Sequence, residues 1–287
     1  MTRFCFRQIT AALLFTLFAA ETANALPKAS NVPGGVALIR LGAISHNESA
    51  PRAWLGEQQV FVTRENGQWI AVVGLALDLS PGLHELRVSA GDEQKNLRFE
   101  VVNKRYPEQR ITLKDSSKVQ LSPADEQRAV REIETIQKLK RHWREVNDNA
   151  DDSNSTFMPP ADGRLASRFG LRRFFNGEPR APHSGLDLAV AHGTPIKASA
   201  HGKVLATDDY FFNGKTAFID HGNGLISMYC HLDRIDVQAG DSVNQGQPIG
   251  RSGMTGRSSG PHLHWSVVLN GVMVDPELFV TANRKTR

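Results

Sequence analysis

Apolar residues in this chain fall into short segments, either continuous or alternating, each closed within a few residues by glycine, proline, asparagine or aspartate. Across residues 26–115 the stretches GVALIRLG, QQVFVT, QWIAVVGLAL, HELRVSA and NLRFEVV follow one another with no helical period between them. Asn66-Gly67, set between two of them, is a strong hairpin signal, and SPGLH and AGDEQ mark further turns. From residue 157 onward NGKTAFID, GLISMYCHL, HLHWSVVL and VMVDP repeat the pattern, punctuated by HGNG, AGDSVNQGQPIG and NGV. Side chains alternate faces along a strand, and strands with no helices between them pair antiparallel. The chain is therefore expected to be mostly β, with a small β-sandwich ahead of a C-terminal antiparallel domain.

One stretch has a different period. Ser122 suits an N-cap, Pro123 the first helical position, and Asp125 and Glu126 the positive end of a helix dipole. Ala129, Ile133, Ile136, Leu139 and Trp143 then recur at helical spacing, which predicts one helix packed by a single apolar stripe. Arg128–Glu132 and Glu134–Lys138 are spaced for ion pairs one turn apart. NDNADDSNST, residues 147–156, ends all periodicity and reads as an exposed linker. The expected organisation is a signal peptide over 1–25, a β-sandwich-like domain over 26–115, a linker helix and polar linker over 116–156, and a C-terminal domain over 157–287.

The signal peptide is read from Arg3 and Arg7, the apolar run ITAALLFTLFAA, and the A-x-A pattern Ala23-Asn24-Ala25. The apolar run is shorter than the ~20 residues a spanning helix needs, so export with cleavage after Ala25 is expected, without a membrane span in the mature chain. The periplasm is the expected destination. Of the two cysteines, Cys5 leaves with the leader, so no internal disulfide is expected. Cys230, inside the strand pattern LISMYCHLD, reads as a small strand residue and not as a catalytic thiol. Losing Arg3, Arg7 and Glu21 takes the formal charge from +4 to +3, which permits an anionic polymer as partner. No dense Lys/Arg stripe with interleaved aromatics is present, which argues against nucleic acid.

Chemistry concentrates in three segments of the C-terminal half. Strand alternation on PHLHWSVVL puts His262, His264 and Ser266 on one face and Leu263, Trp265 and Val267 on the other. In RAPHSGLDLAV, His183, Gly185 and Asp187 share a face opposite Leu186 and Leu188, with the glycine leaving room between the two polar side chains. Imidazole and carboxylate are zinc ligands, and a catalytic zinc takes three protein ligands with a fourth position open. The two segments offer four candidates, one more than needed, and a surplus histidine beside such a site is a natural catalytic group. A third strand, SMYCHLD, adds His231, which alternation groups with Tyr229 and Asp233.

In combination, PHSGLDLAVAHGTPI, IDHGNGLISMYCHL, GDSVNQGQPIGRSGMTGRSSGPHLHWSVVLNG and VDPELF closely resemble the lysostaphin-type (LytM-like) zinc metalloendopeptidase domain of bacterial cell-wall enzymes, over residues of about 160 to 280. The resemblance implies one zinc ion per chain held by His183, Asp187 and His264, with His231 and His262 as the catalytic pair. It also implies a peptidoglycan substrate, cut in stem-peptide cross-links or interpeptide bridges, with the D-Ala to meso-diaminopimelate bond favoured. Which of His231 and His262 takes the water's proton is left open. One alternative is a catalytically inactive exported activator of other cell-wall hydrolases. A second is a carrier module, because AHGTPIKASAHGKVLA is similar to lipoyl and sugar-phosphotransferase carrier domains. Three further histidines, His192, His201 and His221, each precede a glycine and are expected in turns. RRFFNGEPRAP, residues 172–182, reads as an aperiodic loop walling the groove, with Asn176-Gly177 at its tip and arginines able to meet substrate carboxylates. The N-terminal domain is expected to dock over the groove.

Overall fold

The computed structural model describes residues 26–43, 50–112, 121–146 and 156–280. The proposed signal peptide over 1–25 and the polar stretch 147–155 lie outside them. Among the described residues no helix is long and apolar enough to cross a membrane.

Six antiparallel strands come first: β1 (Val36–Ala43), β2 (Arg52–Leu55), β3 (Gln58–Glu65), β4 (Gln68–Gly74), β5 (Gly82–Ala90) and β6 (Glu93–Val101). They pair in the order β1-β4-β3-β2-β5-β6, with Asn66 and Gly67, both at positive φ, turning the β3–β4 hairpin. Ala37, Trp69, Ala71 and Val73 meet Leu86, Val88, Phe99 and Val101 in one core. The two layers of this sandwich are thus halves of one continuous ladder.

The other face of the first half is covered as well. Val36, Phe61, Ile70 and Val72 join the main core of the C-terminal domain, so β4 is buried on both sides, and WIAVV, residues 69–73, is accordingly a continuous apolar run instead of an alternating one. Contacts between β4 and the C-terminal domain fall at the far end of its central strand, where the Gly74 N–H donates to Asn270 Oδ1 at 3.1 Å. That contact lies at the end of the strand remote from His264.

The short strand β7 (Glu108–Ile111) and the helix α1 (Pro123–Lys140) follow. Ser122 caps α1, accepting from the Asp125 N–H at 3.1 Å. Arg128 and Glu132 pair at 2.6 Å, whereas Glu134 and Lys138 do not. Ile133, expected in the apolar stripe, is 46% exposed, because only Ile136 and Leu139 reach the cluster of Met228, Cys230 and Val268. After the helix, Arg144 Nε reaches Asp220 Oδ2 at 2.5 Å and Asn223 exchanges two bonds with the Val146 backbone.

The remaining strands are β8 (Arg164–Ser167), β9 (Arg172–Phe175), β10 (Glu178–Pro179), β11 (Leu186–Ala189), β12 (Pro195–Lys197), β13 (Gly202–Tyr210), β14 (Gly214–Gly222), β15 (Leu225–Ile235), β16 (Ser242–Val243), β17 (Pro248–Ser252), β18 (Leu263–Leu269) and β19 (Val272–Val274). The main path runs β16-β13-β14-β15-β18-β11-β8, all antiparallel. Residues 172–182 are not the aperiodic loop expected. β9 and β10 form a hairpin tipped by Asn176 and Gly177, again both at positive φ, and β7 adds to its edge in parallel. A parallel partner from more than 60 residues upstream leaves no local trace in sequence. His221 is likewise no turn residue: it is a buried member of β14, bonded to the His201 carbonyl at 2.6 Å and to Ser227 Oγ at 2.8 Å.

Candidate metal centre

β11 and β18 pair so that Asp187 stands directly opposite His264, and opposed residues of an antiparallel pair project to the same face. The apolar alternates behave as expected, Leu186, Leu188, Leu263, Trp265 and Val267 all entering the main core. His183 reaches the same point from the segment before β11. Its Nε2 lies 2.9 Å from Asp187 Oδ1 and 3.1 Å from His264 Nδ1, which is itself 2.9 Å from Asp187 Oδ1. Gly185 has to be glycine, since a β-carbon there would fall 2.5 Å from Ser266 Oγ and 2.9 Å from His264 Nε2.

The outer ring nitrogens decide what the inner ones can do. His183 Nδ1 donates to the Arg168 carbonyl at 2.8 Å, which leaves a lone pair on Nε2. His264 Nε2 lies 2.9 Å from Ser266 Oγ, so a proton held there leaves a lone pair on Nδ1. Two imidazole lone pairs and a carboxylate oxygen then converge on one point. That donor set repels itself unless a cation sits among it, and two imidazoles with a carboxylate are what zinc takes. All three ligand atoms lie within 4.8 Å of one another. Without a cation, a proton held on either ring takes its place: burial alone raises the Asp187 carboxyl, but hydrogen bonds and charge from His183 and His264 then outweigh it and hold it well below the usual carboxylate range. His264 is pushed down, chiefly by burial.

His231 and His262 stand beside this triad, with ring centroids 4.7 Å apart. Simple alternation puts His231 on the face of Tyr229, inside the main core and away from His264. The structure differs, because β15 bulges against β14 between Ala217 and Lys215 and His231 takes a φ of 60°. The bulge re-aims the imidazole onto the face of His264 while Leu232 returns to the core. His231 Nδ1 donates to the Thr255 carbonyl at 2.9 Å, and His262 Nδ1 to the Gly260 carbonyl at 2.8 Å. Each therefore presents Nε2 as an acceptor; that of His262 is 3.8 Å from Asp187 Oδ1. Burial lowers His231 to about 4, so the ring is neutral at neutral pH.

The structure thus brings together all five residues singled out from the sequence. It also supplies partners that no motif announces, namely the carbonyls of Arg168, Thr255 and Gly260, and Arg173, whose Nη2 is 3.7 Å from Asp187 Oδ2. Cys230, opposite His264 in the β15–β18 ladder, is fully buried and its thiol is pushed up to about 11, so it stays protonated.

The sequence model of peptidase family M23 matches residues 181–276, and that of the peptidase family M23 N-terminal domain matches residues 29–104. The peptidoglycan DD-endopeptidase ShyA of Vibrio cholerae is 40% identical over 127 residues, 43% of this chain and 30% of that protein. The DD-carboxypeptidase/endopeptidase Mpg of Neisseria meningitidis is 39% identical over 113 residues, 39% of this chain and 26% of that protein. The matched stretch thus spans less than a third of either relative's length. A crystal structure from Pseudomonas aeruginosa, described as a peptidase M23, is 43% identical, covers 87% of this chain and 95% of that chain, and superposes with a TM-score of 0.72.

Proposed function

The chain belongs to peptidase family M23, and from that premise we propose that it is an exported zinc endopeptidase that hydrolyses the peptide cross-links of peptidoglycan. The observation that carries this reading is the convergence of His183, Asp187 and His264 with lone pairs turned inward, beside two further histidines with free Nε2 atoms. The activity named for ShyA and Mpg supports the same substrate class.

Zinc bound by His183, Asp187 and His264 supplies Lewis acidity, polarising a carbonyl and making water a nucleophile at neutral pH. The protein's own part is proton management and positioning. With Nδ1 held by a backbone carbonyl, neither His231 nor His262 can change tautomer without losing that bond, so Nε2 is the atom that takes a proton. One of the two removes the water's proton at Nε2 and delivers it to the leaving amine; the other, when it has taken a proton from solvent, steadies the negative charge developing on the carbonyl oxygen. The Arg168 carbonyl and Ser266 hydroxyl keep the ligand rings facing inward.

The test is digestion of purified wall sacculi by residues 26–287, with metal content measured alongside. One zinc per chain, loss of cross-linked dimers with a new amine on diaminopimelate, and reversible inhibition by a chelator are expected. A zinc-loaded chain that releases nothing would move it to the inactive-activator reading.

A further inference from the structure

His231 has a backbone conformation that its residue type does not favour. Its φ is 60°, and the other four non-glycine residues at positive φ among the described residues are all asparagines, Asn66, Asn176, Asn223 and Asn270. Each of those sits in a turn, where asparagine enters the left-handed region readily. His231 instead lies inside the eleven-residue β15. A residue with a β-carbon keeps such a conformation only where its surroundings impose it. Whatever imposes it here also aims the imidazole.

Three bonds from Thr255 converge on this point. Its carbonyl accepts the His231 Nδ1–H at 2.9 Å. Its hydroxyl accepts the Lys215 N–H at 2.9 Å and donates to the Leu232 carbonyl at 2.7 Å. Lys215 and Leu232 are the paired residues that close the bulge on one side, as Ala217 and Tyr229 close it on the other. The hydroxyl thus bridges β14 and β15 at the step where β15 carries its extra residue. The Asn213 carbonyl, just ahead of β14, accepts the His231 N–H at 2.8 Å. Two glycines let the Thr255 turn come this close. A β-carbon on Gly214 would fall 2.4 Å from Thr255 Oγ1, and one on Gly256 would fall 2.2 Å from the Gly214 nitrogen. The Arg257 N–H bonds the Phe212 carbonyl at 3.0 Å, so the turn has a second anchor that does not involve the hydroxyl.

We propose that the Thr255 hydroxyl is a positioning group for catalysis. By bridging Lys215 and Leu232 it fixes the bulge and the carbonyl that holds His231 Nδ1, so the ring stands beside His262 and His264 with Nε2 free to take a proton. The proposal rests on the peptidase reading above and adds to it a residue that acts through His231 and not on the substrate.

The experiment uses the zinc-loaded chain with isotope-labelled histidine. Thr255→Val keeps the side chain's shape and removes both bonds of the hydroxyl, whereas Thr255→Ser keeps them. In the parent at neutral pH, NMR should show His231 protonated at Nδ1 with that proton protected from exchange, the signal being assigned by its loss in His231→Ala. Thr255→Val should lose the protection and retain one zinc per chain. Its kcat on a purified cross-linked dimer should fall about ten- to hundred-fold with KM little changed, as for a displaced catalytic group. Thr255→Ser should restore both the signal and most of kcat. A parent ring protonated at Nε2 overturns the proposal, as does a valine variant in which the signal or kcat stays parental, or a serine variant no better than valine. If the valine chain does not fold, Thr255→Ala takes its place under the same criteria. A parent that cleaves nothing overturns the peptidase reading instead, and the exchange measurement then decides alone whether the hydroxyl holds the ring.

Discussion

β4 in the N-terminal sheet and β18 in the C-terminal sheet are both central strands with two buried faces, but they bury different things. Ile70 and Val72 of β4 face one apolar cluster while Trp69, Ala71 and Val73 face another. β18 sends Leu263, Trp265 and Val267 into a comparable core but turns His264 and Ser266, both under 10% exposed, to its other face. Burying imidazole without partners is costly, and the protein matches His264 on one side only: its Nε2 meets Ser266 Oγ, while its Nδ1 faces Asp187 and His183 across the point proposed for the cation. One sheet therefore contributes stability, and the other gives up apolar burial for a polar cluster that completes itself only around a cation.

The largest way to break this contrast is to remove a ligand. Asp187→Ala or His264→Ala should abolish both zinc binding and release of wall fragments, while the folded β signature in circular dichroism persists. Unfolding of these variants would mean that the polar face of β18 stabilises the sheet as β4 does, and the contrast would fail. Next in size are His231→Ala and His262→Ala. Each should lower turnover about 10²- to 10⁴-fold, the range for a lost general acid or base, with one zinc per chain retained. Loss of metal from the His231 variant would overturn the division between ligands and catalytic pair.

How much of this was legible depended on whether the cause was local. The pairing of Asp187 with His264 follows from strict alternation on two strands, and alternation holds there because Leu186, Leu188, Leu263 and Trp265 need the core. Ser122 as N-cap was readable for the same reason, since cap and partner lie three residues apart. Alternation puts His231 on the wrong face, because a bulge in β15 depends on its register with β14, and nothing in SMYCHLD states it. The β9–β10 hairpin was hidden because its stabilising partner, β7, is remote. The unbroken run WIAVV shows a strand with two covered faces, but not which part of the chain covers the second.

A pH-dependent effect sharpens the contrast from the C-terminal side. His221 is fully buried against the Phe157 ring, 4.9 Å between centroids, and burial depresses it from 6.5 to about 4. Below pH 6.5 the unfolded chain takes up a proton there that the folded chain refuses until about pH 4, so stability falls as pH falls through this window. The full shift corresponds to about 3 kcal/mol. Urea unfolding at pH 7 and pH 4.5 should show that His221→Gln loses less stability on acidification than the parent. An equal loss in both would mean that His221 is protonated in the folded protein, and that the polar groups under this sheet are less tightly enclosed than β18 suggests.

The smallest of these effects tests the N-terminal side. Val72 is fully buried and belongs to the cluster that joins the two sheets. Val72→Ala removes two methyl groups from a close-packed site, which should cost about 2 kcal/mol in unfolding free energy. It lies on the part of the molecule that meets the far end of β18, so zinc content and turnover per folded molecule should stay at parental values. If turnover falls along with stability, the register of β18 depends on the pressure of β4 behind it. The N-terminal sheet would then help set the spacing of Asp187 and His264, and stability and chemistry would no longer divide between the two sheets.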